Sequence, residues 1–278
     1  MYMRLKDNKT KVVTLSYDDG VVQDIRLMKI MNKYGLKGTF NINTGTYLPE
    51  DAVREKFEGR MKRSEAVELY KNSGHEVAVH TLTHPFLEKL SSVEVITEII
   101  EDRKNIERDY GTVARGMAYP FGTYSDEVIR VIKDCGICYS RTVHPTHNFD
   151  FPQNWLKLNP TCHHNDESLM ELAKSFVNEQ TIYNHCIMFY LWGHSYEFDD
   201  NDNWEVIEEF AKFMGGRDDI WYATNIEIYD YVKAYNSLQV SIDKNIVHNQ
   251  SATDVWFAEN DKVFKVKAGE TLFIGDNR

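Results

Sequence analysis

Short apolar runs alternate with longer helix-patterned stretches through most of this 278-residue chain, and that alternation restricts its fold more than any other feature. Runs suited to strands fall at residues 11–17, 37–42, 75–79, 116–119, 137–143, 155–158, 186–191 and 220–223. The stretches between them carry helix signals. Ser91 and Glu94 form a capping box ahead of Val93, Ile96, Ile99, Ile100 and Ile106, and Thr224 with Glu227 forms another ahead of Ile228, Tyr231, Val232 and Tyr235. Ser125 is placed to cap a helix that Gly136 ends. Such a repeat specifies an α/β protein with a parallel sheet, closed as a barrel or open and doubly wound.

The polar residues choose between these. Asp18 and Asp19 follow the first run, His80 the third, Pro120 the fourth and His194 the seventh. A barrel gathers the C-terminal ends of all its strands at one mouth, whereas an open sheet spreads them. A barrel is therefore expected over residues 1–236. From 237 to 278 apolar and polar residues alternate, with Glu259-Asn260-Asp261 as a hairpin turn. This reads as a small C-terminal β appendage, too short to fold without packing on the barrel. A structural cover is expected there, with carbohydrate binding as the other reading.

A formal net charge of −11 disfavours nucleic acid and anionic membranes as partners, because both reward clustered Lys and Arg. No apolar run approaches the ~20 residues that a membrane span needs. The start, MYMRLKDNKTKVV, lacks the apolar stretch of a secretory signal, so a cytoplasmic location is expected. Four cysteines are too few and scattered for a disulfide framework. Cys135-Gly136-Ile137-Cys138 has redox or zinc spacing, but its place at a helix C-terminus gives no thiolate stabilisation, and a structural role is expected.

Asp18-Asp19-Gly20 sets two carboxylates in tandem at a strand end, where successive side chains diverge; one is free to bind a metal while the other faces a substrate. His80 and His84 are four apart, which a helical turn would bring onto one face. Each pattern alone is commonplace, a turn or a chance pair. Together, each at the predicted C-terminal end of a strand in a barrel pattern, two imidazoles and a carboxylate make a three-ligand set with open positions.

These residues resemble a known family. Thr14-Leu15-Ser16-Tyr17-Asp18-Asp19-Gly20 is similar to the T-F-D-D-G signature of the polysaccharide deacetylases, the NodB-homology domain of carbohydrate esterase family four. The segment GHEVAVHTLTHP, residues 74–85, resembles that family's G-H-E-I-x-x-H-T-x-x-H-P. Ala118-Tyr119-Pro120-Phe121-Gly122 resembles its R-x-P-Y-G, and the apolar run ending at His194 resembles its last strand with a functional His. The resemblance implies a distorted (β/α) barrel of seven to eight parallel strands with a groove across its mouth. It implies a divalent metal, zinc or in some members cobalt or nickel, held by Asp19, His80 and His84. It implies Asp18 as base, His194 as acid, and a carbohydrate substrate that loses an acetyl group. The metal polarises the acetyl carbonyl and acidifies water. The Phe121 N–H, beside Tyr119, would stabilise the oxyanion, and Leu191 or Trp192 would hold the acetyl methyl.

Two departures stand out. The Arg that opens the third motif and pairs with the catalytic aspartate is Ala118 here; Arg141 is either its replacement or a structural ion pair. The Asp–Trp pair of the fourth motif corresponds to Asn154-Trp155. Asn154 can orient an imidazole but not stabilise its charge, and Asp150 or Glu197 could supply that charge. Trp155 could stack on a sugar or sit in the core. The pairs His163-His164 and His144-x-x-His147 suit surface or groove roles, with no second metal expected. Two further functional readings stay open: an O-acetyl esterase or non-sugar amide hydrolase on the same site, and an inactive carbohydrate-binding homologue.

Overall fold

The computed structural model describes residues 1–55, 59–181 and 185–274. Its strands are β1 (Tyr2–Arg4), β2 (Lys11–Asp18), β3 (Gly38–Ile42), β4 (Glu76–Val79), β5 (Gly116–Ala118), β6 (Tyr139–Arg141), β7 (Cys162–His163), β8 (Ile187–Gly193), β9 (Ile220–Tyr222), β10 (Gln239–Val240), β11 (Ile246–His248), β12 (Val255–Glu259), β13 (Lys262–Val266) and β14 (Thr271–Phe273). The helices are α1 (Asp24–Lys33), α2 (Arg63–Tyr70), α3 (Ser92–Tyr110), α4 (Asp126–Asp134), α5 (Leu169–Asn178), α6 (Glu197–Asp200), α7 (Glu205–Met214) and α8 (Asn225–Asn236).

Parallel strands run in the order β6-β5-β4-β3-β2-β8-β7. Leu158 bridges Arg141 of β6 a few residues before β7 pairs with β8, so the 158–163 segment draws the two ends together into a distorted (β/α) barrel. β8 lies along β2 from Lys11 to Tyr17. The other edge of β2 is shared: β9 pairs with Lys11–Val13 and β3 with Leu15–Asp18.

Alternation along β2 sorts its side chains. Val13, Leu15 and Tyr17 join the outer core with Leu27, Met31 and Phe210 of α1 and α7. Val12 packs inside with Met188, Tyr190 and Tyr139. Thr14, Ser16 and Asp18 share that inner face and are buried, so the barrel interior is largely polar and much of it is hydrogen-bonded, although Asn41 Oδ1, Ser140 Oγ and Arg141 Nε have no hydrogen-bond partner among the described residues. Thr14 Oγ1 donates to Asn225 Oδ1 (2.9 Å), and Asn225 Nδ2 donates to Tyr190 OH (2.7 Å). Asn225 N donates to Thr39 Oγ1 (3.1 Å), which donates to Glu76 (2.9 Å); Tyr139 OH donates to the other Glu76 oxygen (2.7 Å). Nearer the mouth, Asn41 Nδ2 donates to Ser16 Oγ and to Asp18 Oδ1, both at 2.8 Å.

Both capping boxes and the Ser125 cap form as expected. α3 differs in its buried face: Val95, Ile99, Asp102 and Ile106 turn inward, whereas Val93 and Ile96 are exposed. The expected strand over 155–158 is a 3₁₀ turn, Trp155–Lys157, because Asn154 Oδ1 accepts from Leu156 N and holds the chain bent. Cys135 caps α4 and Cys138 precedes β6, and burial pushes the Cys138 thiol up to about 12, the opposite of an activated thiolate. After α8, β10, β11 and β14 form one antiparallel sheet. β12 and β13 form a hairpin through Asn260 and Asp261, both at positive φ, and β1 from the chain's start completes that second sheet. Val247, Val255, Phe257 and Val266 pack with Ala234 of α8.

Asp24 of α1 ties the helical layer together. It is fully buried and accepts from Tyr70 OH (2.5 Å) and Ser195 Oγ (2.6 Å). Burial raises its carboxyl to about 7 despite those bonds. The unfolded chain ionises near the ordinary carboxylate value of about 4, so this group's contribution is complete below that value and is lost as pH rises to about 7. Urea unfolding should show that limb in the native protein and a flatter one in Asp24→Asn. Asp24→Ala, which orphans two buried hydroxyls, should lose about 2–4 kcal/mol.

Candidate active site

The strand ends at the mouth carry a strained backbone. Asp19, Thr81, His84 and Phe121 all have positive φ (80°, 68°, 61° and 57°), and for a β-branched Thr this is a conformation the surroundings must impose. Asn43 Nδ2 donates to the His80 carbonyl and to Thr81 O (3.0 Å). Asp102 of α3 accepts from His80 N (3.2 Å), Thr44 N (2.9 Å) and Thr44 Oγ1 (2.6 Å). Arg60 Nη1 donates to Asp19 O (2.8 Å). The segment from His80 to His84 is therefore not the helical turn the four-residue spacing suggested. Pro85 disfavours the α conformation at His84, and two left-handed residues do the folding instead.

That loop sets His80 Nε2 at 3.8 Å and His84 Nε2 at 3.7 Å from Asp19 Oδ1. Asp19, His80 and His84 form a group whose ligand atoms lie within 4.8 Å of one another. His80 Nε2 and Asp19 Oδ1 are buried with no hydrogen-bond partner, a costly state unless something else satisfies them. His80 Nδ1 lies 2.8 Å from the Ala118 carbonyl, which must accept its proton; the lone pair is then left on Nε2. Burial, with His80 alongside, lowers the His84 imidazole to about 4 and keeps it neutral. Orphaned atoms, a fixed His80 tautomer and a neutral His84 ring together fit a divalent cation.

Asp18, the preceding residue, lies on the barrel's inner face. Its Oδ2 is paired with Arg141 Nη2, and both residues are buried. Ala118 and Arg141 are register partners on β5 and β6, so the guanidinium is supplied one strand over at the same level. The Trp192 ring packs on that guanidinium at 4.3 Å. Burial pushes the Asp18 carboxyl up, but Arg141, His80, His194 and the Asn41 amide together hold it below its ordinary value.

His194 Nε2 is 3.9 Å from Asp18 Oδ2, and its Nδ1 is 3.1 Å from Glu197 Oε1. Burial disfavours the imidazolium, yet Glu197, Asp18 and Asp19 raise its pKa above the ordinary value. Of the two carboxylates considered for this role, Glu197 is the one beside His194, while Asp150 pairs with exposed His185 (3.3 Å). Asn154 is exposed and engaged in its own turn, and Trp155 stands edge-on to Tyr229 of α8 (5.2 Å); neither is at the mouth.

Two further expectations change. Leu191 points outward into the core under the helices, because strand alternation gives the inner face to Tyr190 and Trp192. The Tyr119 ring is also buried, donating from its hydroxyl to Leu156 O (2.9 Å). Phe121 does reach the mouth: its ring is half exposed, stacked on Phe86 (3.8 Å) and edge-on to His84 (4.5 Å). Its backbone N–H is not used by the turn's own hydrogen bonds. Asn41, Asn43 and Asp102 are supports that the sequence reading passed over. Asp102 had a signal, a carboxylate in register with Ile99 and Ile106.

Residues 5–140 match the family model for polysaccharide deacetylase. Chitin deacetylase 1 of Cryptococcus neoformans var. grubii is 26% identical over 124 residues, covering 44% of this chain and 24% of that protein. The chain thus spans about a quarter of the length of the curated relative it matches. A Mycobacterium smegmatis structure assigned to the polysaccharide deacetylases superposes with TM-score 0.59 at 16% identity, covering 84% of this chain and 94% of its own. The chitin deacetylase of the fungal pathogen Colletotrichum lindemuthianum gives TM-score 0.52 at 18% identity, covering 82% and 89%. At these identities the two structures speak for the barrel fold.

The buried pair makes a stability prediction. Arg141→Leu leaves a buried carboxylate without its partner and should lose about 3–5 kcal/mol in urea unfolding. Arg115→Ala, which breaks a half-exposed pair with Asp230, should change it by about 1 kcal/mol or less. Adding Asp18→Asn to Arg141→Leu should recover part of the loss. A loss in Arg141→Leu no greater than in Arg115→Ala would show that the pair does not hold the mouth.

Proposed function

We propose, for a chain whose residues 5–140 match the family model for polysaccharide deacetylase, that it is a metal-dependent hydrolase removing N-acetyl groups from an amino sugar or its oligomers. One arrangement supports the reading. A three-ligand group with orphaned buried atoms stands beside an ionised carboxylate on one side and a proton-retaining imidazole on the other.

Asp19 Oδ1, His80 Nε2 and His84 Nε2 would hold the cation, zinc in the first instance with cobalt or nickel as alternatives. When bound, that cation supplies Lewis-acid polarisation of the acetyl carbonyl and acidification of water. Asp18, kept ionised by Arg141, takes the proton of the water that adds to the carbonyl carbon. The Phe121 N–H faces the oxygen on which negative charge develops. Trp192, fixed by its contact with Arg141, walls the acetyl methyl. As the C–N bond breaks, His194 Nε2 gives a proton to the departing nitrogen, leaving acetate and a free amine. Amine departure needs a proton donor more than alkoxide departure does, so an imidazolium held above its ordinary pKa favours amide over ester cleavage.

Acetate release from N-acetylated amino-sugar oligomers tests the reading. Chelation should abolish turnover and added zinc restore it. Asp18→Asn should lower kcat by about 10²–10⁴ while metal content is retained. Arg141→Ala should cost far more activity than Arg115→Ala. Full metal content with no release from any acetylated sugar would instead favour a binding protein, and release from O-acetyl groups alone would favour an esterase.

A further inference from the structure

His163, His164 and Glu197 form a second cluster at the mouth, and the mechanism above uses none of them directly. β7 ends at His163, and Glu197 opens α6 three residues after His194. Glu197 Oε2 lies 3.1 Å from His163 Nε2 and 3.0 Å from His164 Nε2, while Oε1 takes His194 Nδ1. Two imidazoles and a carboxylate could be a second cation site. Neither Oε2 contact is an aligned hydrogen bond, which would also suit a cation.

The tautomers separate the two clusters. His80 donates from Nδ1 to a carbonyl and keeps its lone pair on Nε2. His163 does the reverse: its Nδ1 accepts from Asn165 N (3.1 Å). A neutral ring with an accepting Nδ1 carries its proton on Nε2. His163 therefore presents a donor to Glu197 where a cation would need a lone pair.

His164 is constrained in position, although neither of its ring nitrogens has an aligned hydrogen-bond partner. Its buried ring is stacked between Phe198 (4.1 Å) and Tyr17 (5.7 Å). Its edge lies so close to Gly193 that a Cβ there would sit 1.9 Å from Nδ1. Any larger residue at 193 would evict the imidazole. The doublet is a fixed wall behind one carboxylate oxygen, not a solvated pair.

We propose that Glu197, braced by His163 and His164, is a positioning residue that holds the His194 ring with Nδ1 inward and Nε2 toward Asp18 and the scissile amide. The carboxylate absent from the Asn154 segment is thereby supplied by the start of α6. Without an acceptor for its Nδ1 proton, the ring is free to turn and offer the wrong nitrogen. The role rests on the reading of His194 as proton donor.

The test uses zinc-loaded wild type, Glu197→Gln, Glu197→Asp and His163→Ala. Histidine-resolved NMR titration should place the His194 midpoint about one pH unit lower in Glu197→Gln than in wild type. On an N-acetylated oligomer, kcat should fall about 10–100-fold with KM changed less than about twofold, and Glu197→Asp should recover part of the loss. Zinc content should be one equivalent in all four proteins. An unmoved His194 midpoint in Glu197→Gln overturns the proposal, as does a drop from two equivalents to one in His163→Ala. If wild type releases no acetate from any substrate, the deacetylase reading fails, and the titration still decides whether Glu197 holds His194.

Discussion

The buried ion pair between Asp18 and Arg141 is the constraint on which the rest of the barrel depends. It joins the C-terminal ends of β2 and β6, and neither charge reaches solvent. Such a pair is more tolerable the more of its remaining valences are satisfied, and here most are, Arg141 Nε being an exception. Asn41 bonds the other Asp18 oxygen, Trp192 covers the guanidinium, and Ser16 anchors Asn41 in turn. The polar interior below continues the same requirement down to Glu76. A barrel filled with leucine and valine could not have kept an ionised aspartate at this depth.

A second requirement is met by the backbone. Asp19, Thr81, His84 and Phe121 adopt conformations that cost free energy, and they adjoin one another at the mouth. The restraint comes from outside the loops. Asn43 and Asp102 grip the His80 and Thr81 peptide, and Asp102 lies on a helix face that also buries Val95, Ile99 and Ile106. The geometry of the candidate ligands is thus set by the packing of α3 against β4, not by the loop itself.

Local features were legible in the sequence. The capping boxes, the Ser125 cap and the Asn260–Asp261 turn act within a few residues, so their chemistry can be read from the letters. Asp18, Asp19, His80, His84 and His194 could be brought together on paper because a barrel collects strand ends. What depended on parity or on distant pairing was harder. Leu191 and Trp192 differ by one residue, and only the strand's face separates core from mouth. β1 pairs with β12 from opposite ends of the chain, which no local pattern announces. The Trp155 segment is apolar enough for a strand, but a single Asn154 hydrogen bond bends it. Glu197 was one of two possible carboxylates, and only the meeting of β7 with β8 selects it.

The first turn of α8 has a consequence for traffic. Asn225 inserts between Thr14, Thr39 and Tyr190, and Ile226 N donates to Glu76 (2.9 Å), so the helix start acts as a stopper in the barrel's floor. A tube stoppered at one end and filled along its length has no back door. On the proposed reading, whatever forms beside Asp18 would leave by the opening that admitted its precursor, so a small product would have to depart past the larger one or wait behind it. The order of departure would then be a property of the floor, some way from any residue proposed to touch the substrate.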